Sequence, residues 1–134
     1  MAKTIEQKVD ENLMEIKRYQ QKINRLPNEE KVSRIYLLAK QLVFIGRLAS
    51  IFGEEYKQIY AYRKRVYNET YLTAAKHRSA TAELAVVDIR QQEAEAFGNF
   101  KRWSNAFTRT REEINALKYK VKIDIQDGSS HENY

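Results

Sequence analysis

The sequence predicts an all-α fold, a bundle of long helices with coiled-coil-like seams, and three observations carry that reading. Four glycines and one proline leave room for few turns, whereas an all-β chain signals a turn every ~8–12 residues. Apolar residues recur at steps of three and four along most of the chain. A content of 43% hydrophobic and 31% charged residues suits one modest, helix-rich folded domain. The expected layout is a single helical domain over residues 1–123, then a polar tail over residues 124–134 that is frayed or disordered.

The first helix is expected over residues 4–26. Ile5, Val9, Leu13, Ile16, Tyr19, Ile23 and Leu26 form one narrow apolar stripe, and Thr4 with Gln7 fits a capping box. Pro27 ends it, because proline disfavours a helical residue before it and has no amide to donate. A second helix is expected over residues 29–78, with Asn28 as its N-cap and Glu29 and Glu30 favourable to its dipole. Val32, Ile35, Tyr36, Ala39, Leu42, Val43 and Ala49 carry its period, and residues 42–52 are the most apolar stretch and the expected core. Gly46 and Gly53 each cost ~1 kcal/mol relative to alanine inside a helix. Two readings stay open for them: close helix packing at Gly46, and a kink or break near Gly53.

A third helix is expected over residues 80–122, bent near Gly98. Phe100, Trp103, Phe107, Ile114, Leu117 and Val121 recur at heptad spacing, a stripe that suits an oligomer seam as well as an internal core. Three helices with so few turns do not readily cover this stripe and that of the first helix, so a homo-oligomer is expected. Lys118, Lys120 and Lys122 alternate in a pattern that fits either a short strand or the end of the third helix.

Charge is uneven. The net charge is +6, but residues 53–78 carry six cations against three acids and residues 101–122 seven against two. Residues 79–100 set Glu83, Asp88, Glu93 and Glu95 against Arg90 alone. Such basicity suits an acidic partner. The chain has no cysteine, which removes disulfide and thiolate chemistry. No apolar run approaches ~18 residues and no export signal is visible, so no membrane span is expected and the location is read as cytoplasmic. His77 and His131 stand alone, without metal-ligand spacing. The pairs Glu29/Glu30 and Glu112/Glu113 splay to different helix faces, and there is no phosphate loop or nucleophile motif. A non-enzyme without metal or cofactor is expected.

The richest segment is residues 56–78. Tyr56, Tyr60, Tyr62, Tyr67 and Tyr71 interleave there with Lys57, Arg63, Lys64, Arg65, Lys76 and Arg78. Cations that neutralise phosphates, mixed with flat rings on which bases stack, are what single-stranded nucleic acid requires. The plain alternative is a tyrosine packing seam, since Tyr56, Tyr60, Arg63, Tyr67 and Tyr71 share one helix face. Arg63 argues against a dry seam, because a buried guanidinium needs a paired anion. Tyr62, Lys64 and Arg65 point elsewhere and are the better first contacts. Lys76, His77 and Arg78 form a basic cluster that reads equally as a solvated helix end.

The run Ala61, Tyr62, Arg63, Lys64, Arg65, Val66, Tyr67 resembles a segment of the UvsY recombination mediators of tailed phages, which shows alanine, basic-x-basic, then tyrosine. Leu84, Val87, Phe100, Trp103, Phe107 and Ile114 follow a spacing similar to that family's C-terminal helix, and residues 122–127 look like its end. The resemblance covers the C-terminal two-thirds. It implies a protein of the bacterial host cytoplasm that binds single-stranded DNA and assembles into ring-like oligomers. It further implies contact with a RecA-class recombinase, which the mediator helps to replace single-strand-binding protein. On that resemblance Arg63 and Arg65 are the principal DNA contacts, and the helix from Phe100 to Val121 drives assembly. Two rivals from other classes are a phage-encoded inhibitor or adaptor acting on a host nuclease or other nucleic-acid-handling protein, and a coiled-coil structural or assembly protein whose charges only solvate it.

Overall fold

The computed structural model describes the backbone of residues 2–132 and the side chains of residues 2–128. These residues form four helices and no strand: α1 (Ile5–Asn24), α2 (Lys31–Thr73), α3 (Arg78–Ala85) and α4 (Val87–Glu132). The chain is all-α. Two compact units can be distinguished, both drawing on α2 and α4. One combines α1, α2 as far as Leu48, and α4 from Ser104 onward; the other is Ala49–Trp103.

In the first unit, α1 begins with the capping box read from Thr4 and Gln7. The Gln7 amide donates to Thr4 Oγ1 at 3.1 Å and the Thr4 amide donates to Gln7 Oε1 at 2.9 Å, satisfying two of the orphan donors at the helix start. Proline ends α1 as expected, but Asn28 does not cap α2. The Glu30 amide donates to the Pro27 carbonyl at 3.1 Å, closing a turn that delays α2 until Lys31. Ile23, Leu38 and Ile114 then form the core, flanked by Ile35, Leu37, Leu42 and Leu117. All three helices of the unit supply it.

The face that α2 buries matches the expected one only in part: Ile35 and Leu42 pack on the core, and the apolar stretch 42–52 holds the buried Ile45 and Leu48. Val32, Tyr36, Ala39 and Val43 are exposed, whereas Leu38, Gln41, Ile45 and Leu48 are buried. Gln41 can sit inside because its amide is satisfied: Nε2 donates to the Ile16 carbonyl at 3.1 Å and to Gln20 Oε1 at 3.0 Å, both on α1. By length and composition α2 is apolar enough to cross a membrane, with a window of mean hydropathy 1.5. The core helix of a water-soluble bundle meets the same criterion.

Nor does α2 break at Gly53; it is one helix of 43 residues. Both glycines instead admit a ring. A Cβ on Gly46 would lie 3.2 Å from Phe107 in the first unit, and one on Gly53 would lie 3.0 Å from Phe100 in the second.

The end of α2 comes at Thr73, not at residue 78. Thr73 Oγ1 donates to the Glu69 carbonyl at 2.9 Å, and His77 takes a left-handed conformation with φ of 50°, which continues no helix. The expected third helix is two helices, separated at the fully buried Val86, whose φ of −110° and ψ of 7° turn the chain. At its far end α4 continues past Asp124, so the described part of the segment read as a tail is helical, as is the lysine alternation at 118–122. Residues 133 and 134 and the side chain of His131 lie outside the described residues.

Of the two readings of the heptad stripe, the described contacts are those of an internal face. Ile114 is only 6% exposed within the core just described, and Leu117 packs against it. Phe107 and Phe100 lie over Gly46 and Gly53 of the same chain, and Trp103 and Val121 are half-buried. These residues are largely covered by their own chain. Heptad spacing marks an apolar face without saying which chain covers it.

Candidate nucleic-acid interface

The basic, tyrosine-rich segment occupies the last five turns of α2 and the turn that follows, in the Ala49–Trp103 unit. A helix of 3.6 residues per turn divides it into two faces. Phe52, Tyr56, Ile59, Arg63, Val66, Tyr67 and Thr70 are all less than fully exposed and form the inward face. Lys57, Ala61, Tyr62, Lys64, Arg65 and Asn68 are exposed on the outward one. Tyr60 and Tyr71 lie between, each little more than a third exposed.

Arg63 faces inward. Its guanidinium is bonded to the Glu93 carboxylate of α4, with side chains 15% and 17% exposed. The hydrogen bond to Glu93 pushes the Arg63 pKa upward against the opposing cost of burial, so the group is charged at every working pH. This is the paired anion that a half-buried arginine requires. Arg63 is therefore one half of an ion pair within the chain rather than a free cation. Tyr67 is also half-buried, and its ring stacks on Tyr71 at 6.4 Å.

The other candidates are accessible. Tyr62 is 46% exposed, and the Arg65 guanidinium lies 5.3 Å from its ring centroid. Lys64 Nζ lies 4.6 Å from the Tyr60 ring. Such pairs hold a cation beside a flat face without neutralising it. Lys57 is exposed two turns before Lys64. Lys76 and Arg78 are exposed at the turn after α2, where Arg78 Nε donates to the Ala74 carbonyl at 3.1 Å and so closes the helix end.

Sequence reasoning missed what stands on the α4 side of this unit. Tyr56 packs against Phe97 with ring centroids 5.2 Å apart and stacks on Phe100 at 6.4 Å and 8°. Tyr56, Arg90, Glu93, Ala94 and Phe97 line an open notch of about 250 Å³. The signal was present: Arg90, Ala94, Phe97 and Lys101 step by four, three and four and so share a face. Summing charge over residues 79–100 concealed it. Among the described residues no group of three His, Asp or Glu side chains is placed to hold a metal ion. Comparison with family models, curated proteins and solved structures returns no match.

Proposed function

We propose that this chain binds single-stranded DNA through the outward face of α2, by electrostatics and base stacking, without catalysis. The observation that carries the reading is the exposed set Lys57, Tyr62, Lys64 and Arg65, with Arg65 held beside the Tyr62 ring. A ring flanked by unneutralised cations offers one strand both a stacking face and phosphate contacts. Lys76 and Arg78 extend the cationic surface to the turn beyond α2. With the family resemblance, this supports a mediator role: the bound strand is presented to a RecA-class recombinase in exchange for single-strand-binding protein. Homo-oligomer assembly belongs to that role, and the chain offers a more exposed surface for it than the heptad stripe. Val32, Tyr36, Ala39 and Val43 form an outward apolar stripe on α2 that suits a second copy.

Fluorescence anisotropy with single- and double-stranded oligonucleotides at several salt concentrations tests the reading. Three to five phosphate contacts per subunit give a log–log slope of roughly −2 to −3.5, at about −0.7 per contact on single strands. The expected result is single-strand preference with a slope in that range. Absence of binding at low salt, or affinity that ignores salt, overturns it in favour of a protein partner for the same face.

A further inference from the structure

The notch on the α4 side of the Ala49–Trp103 unit has the chemistry of a nucleobase seat. Phe97 is a large ring left 43% exposed at the surface, propped at 5.2 Å by Tyr56 behind it. Tyr56 is fixed in turn by stacking on Phe100, so the rings form a rigid block. A side chain held in this way loses little freedom when a ligand arrives.

Its polar surroundings are divided in sign and in availability. The one acid lining the notch, Glu93, is already bonded to Arg63, which lowers its repulsion of a phosphate. Arg90 is paired with Glu83 at 3.2 Å, but these side chains are 48% and 53% exposed. A pair that open to water is worth little and can exchange its carboxylate for a phosphate. On the other side of Phe97, Lys101 is exposed and its Nζ lies 6.0 Å from the ring centroid. Arg90 and Lys101 are separated along α4 by a rise of roughly 16 Å, at 1.5 Å per residue. A cation, a propped ring and a second cation thus follow one another along a single helix face. A strand with more than one nucleotide between the two contacted phosphates spans that rise, with a base placed on the ring between them.

From this arrangement we infer that Arg90, Phe97 and Lys101, backed by Tyr56, form a second contact line for single-stranded nucleic acid, with one base stacked on Phe97. The inference rests on the proposed function and extends it from α2 to α4. A volume of about 250 Å³ admits a flat base rather than a folded peptide segment. The paired state of Glu93 leaves the notch no free acid to attract a basic peptide.

The test uses the full-length protein with a fluorescein-labelled oligodeoxythymidylate, and with the same oligomer carrying 5-iododeoxyuridine for photocrosslinking. Phe97→Ala is expected to weaken binding about five- to 150-fold, the range for loss of one stacked base, with helicity unchanged by circular dichroism. Phe97→Trp, which keeps a stacking face, is expected to bind within about twofold of wild type. Crosslinks are expected on Tyr56 or Phe97. Should Phe97→Ala bind like wild type and adducts map only to the Tyr60–Tyr71 region of α2, the second line is wrong and the proposed function stands. Should wild type fail to bind the oligomer at low salt, both fall. Should Phe97→Ala lose helicity, Arg90→Gln with Lys101→Gln decides instead: a fall in salt slope of about 1.4, for two phosphate contacts, supports the line, and an unchanged slope overturns it.

Discussion

Arg63 and Arg65 stand two residues apart on α2 and do different work, because a helix turns by about 200° between them. Arg63 faces Glu93 and is mostly covered; Arg65 lies beside Tyr62 in solvent. Removing one partner of a buried pair strands the other charge, and the usual penalty of 3–5 kcal/mol must be discounted for the remaining exposure. Arg63→Ala is expected to lower unfolding free energy by about 1–3 kcal/mol. Arg65→Ala is expected to leave stability within about 0.5 kcal/mol and to reduce the salt slope of DNA binding by about 0.7. Urea denaturation beside anisotropy separates the two effects. A stable Arg63→Ala that loses DNA as Arg65→Ala does would return Arg63 to the interface.

Elements were legible in the sequence where their causes are local. Thr4 and Gln7 are three residues apart, so the capping box of α1 could be read directly, and Pro27 acts on the residue beside it. The buried face of α2 could not be read in this way. Between Ile35 and Gly53 only Lys40 and Arg47 are charged, and a helix apolar on nearly every side gives no periodic clue to its inward face. Gln41 would have been assigned outward on polarity alone, yet its acceptors on α1 carry it inside. For the candidate site, the exposed set at Tyr62, Lys64 and Arg65 followed from spacing. The Glu93 partner of Arg63 did not, since it lies thirty residues away on another helix. The glycines were ambiguous for the same reason, because their role depends on which ring arrives. Gly46→Ala and Gly53→Ala each gain ~1 kcal/mol in helix propensity, and each must displace a ring. Phe100 over Gly53 is nearer, at 3.0 Å, and is held by stacking on Tyr56. Thermal unfolding is expected to place Gly53→Ala below wild type and Gly46→Ala close to it. A rise in Tm for Gly53→Ala would mean that the Phe100 ring moves freely.

At the scale of the molecule, the heptad stripe decides what a disruptive charge should do. Were Ile114 at a subunit seam, Ile114→Asp would dissociate an assembly of folded chains. It instead sits with Ile23 and Leu38 in a core supplied by one chain. A carboxylate there, without a partner, costs several kcal/mol by desolvation. Ile114→Asp is therefore expected to lose helicity, with a midpoint independent of protein concentration over a hundredfold range. A folded monomer on light scattering would contradict this and restore the stripe as an interface. Wild-type mass is a separate question, because it reports on the outward stripe at Val32, Tyr36 and Val43.

The left-handed turn at His77 has a further consequence for how a protease meets the chain. Proteases need an extended, locally opened backbone, and long helices withhold one. Among the described residues, those outside the helices are few: the short N-terminal lead into α1, residues 25–30, residues 74–77 and Val86. Lys76 ends just before that turn and is exposed, so trypsin should nick the Lys76–His77 bond early. The same lysine is a proposed phosphate contact. A bound strand would then shield its own reporter, and the cleavage rate at this one bond becomes a footprint of occupancy that needs no label on either molecule.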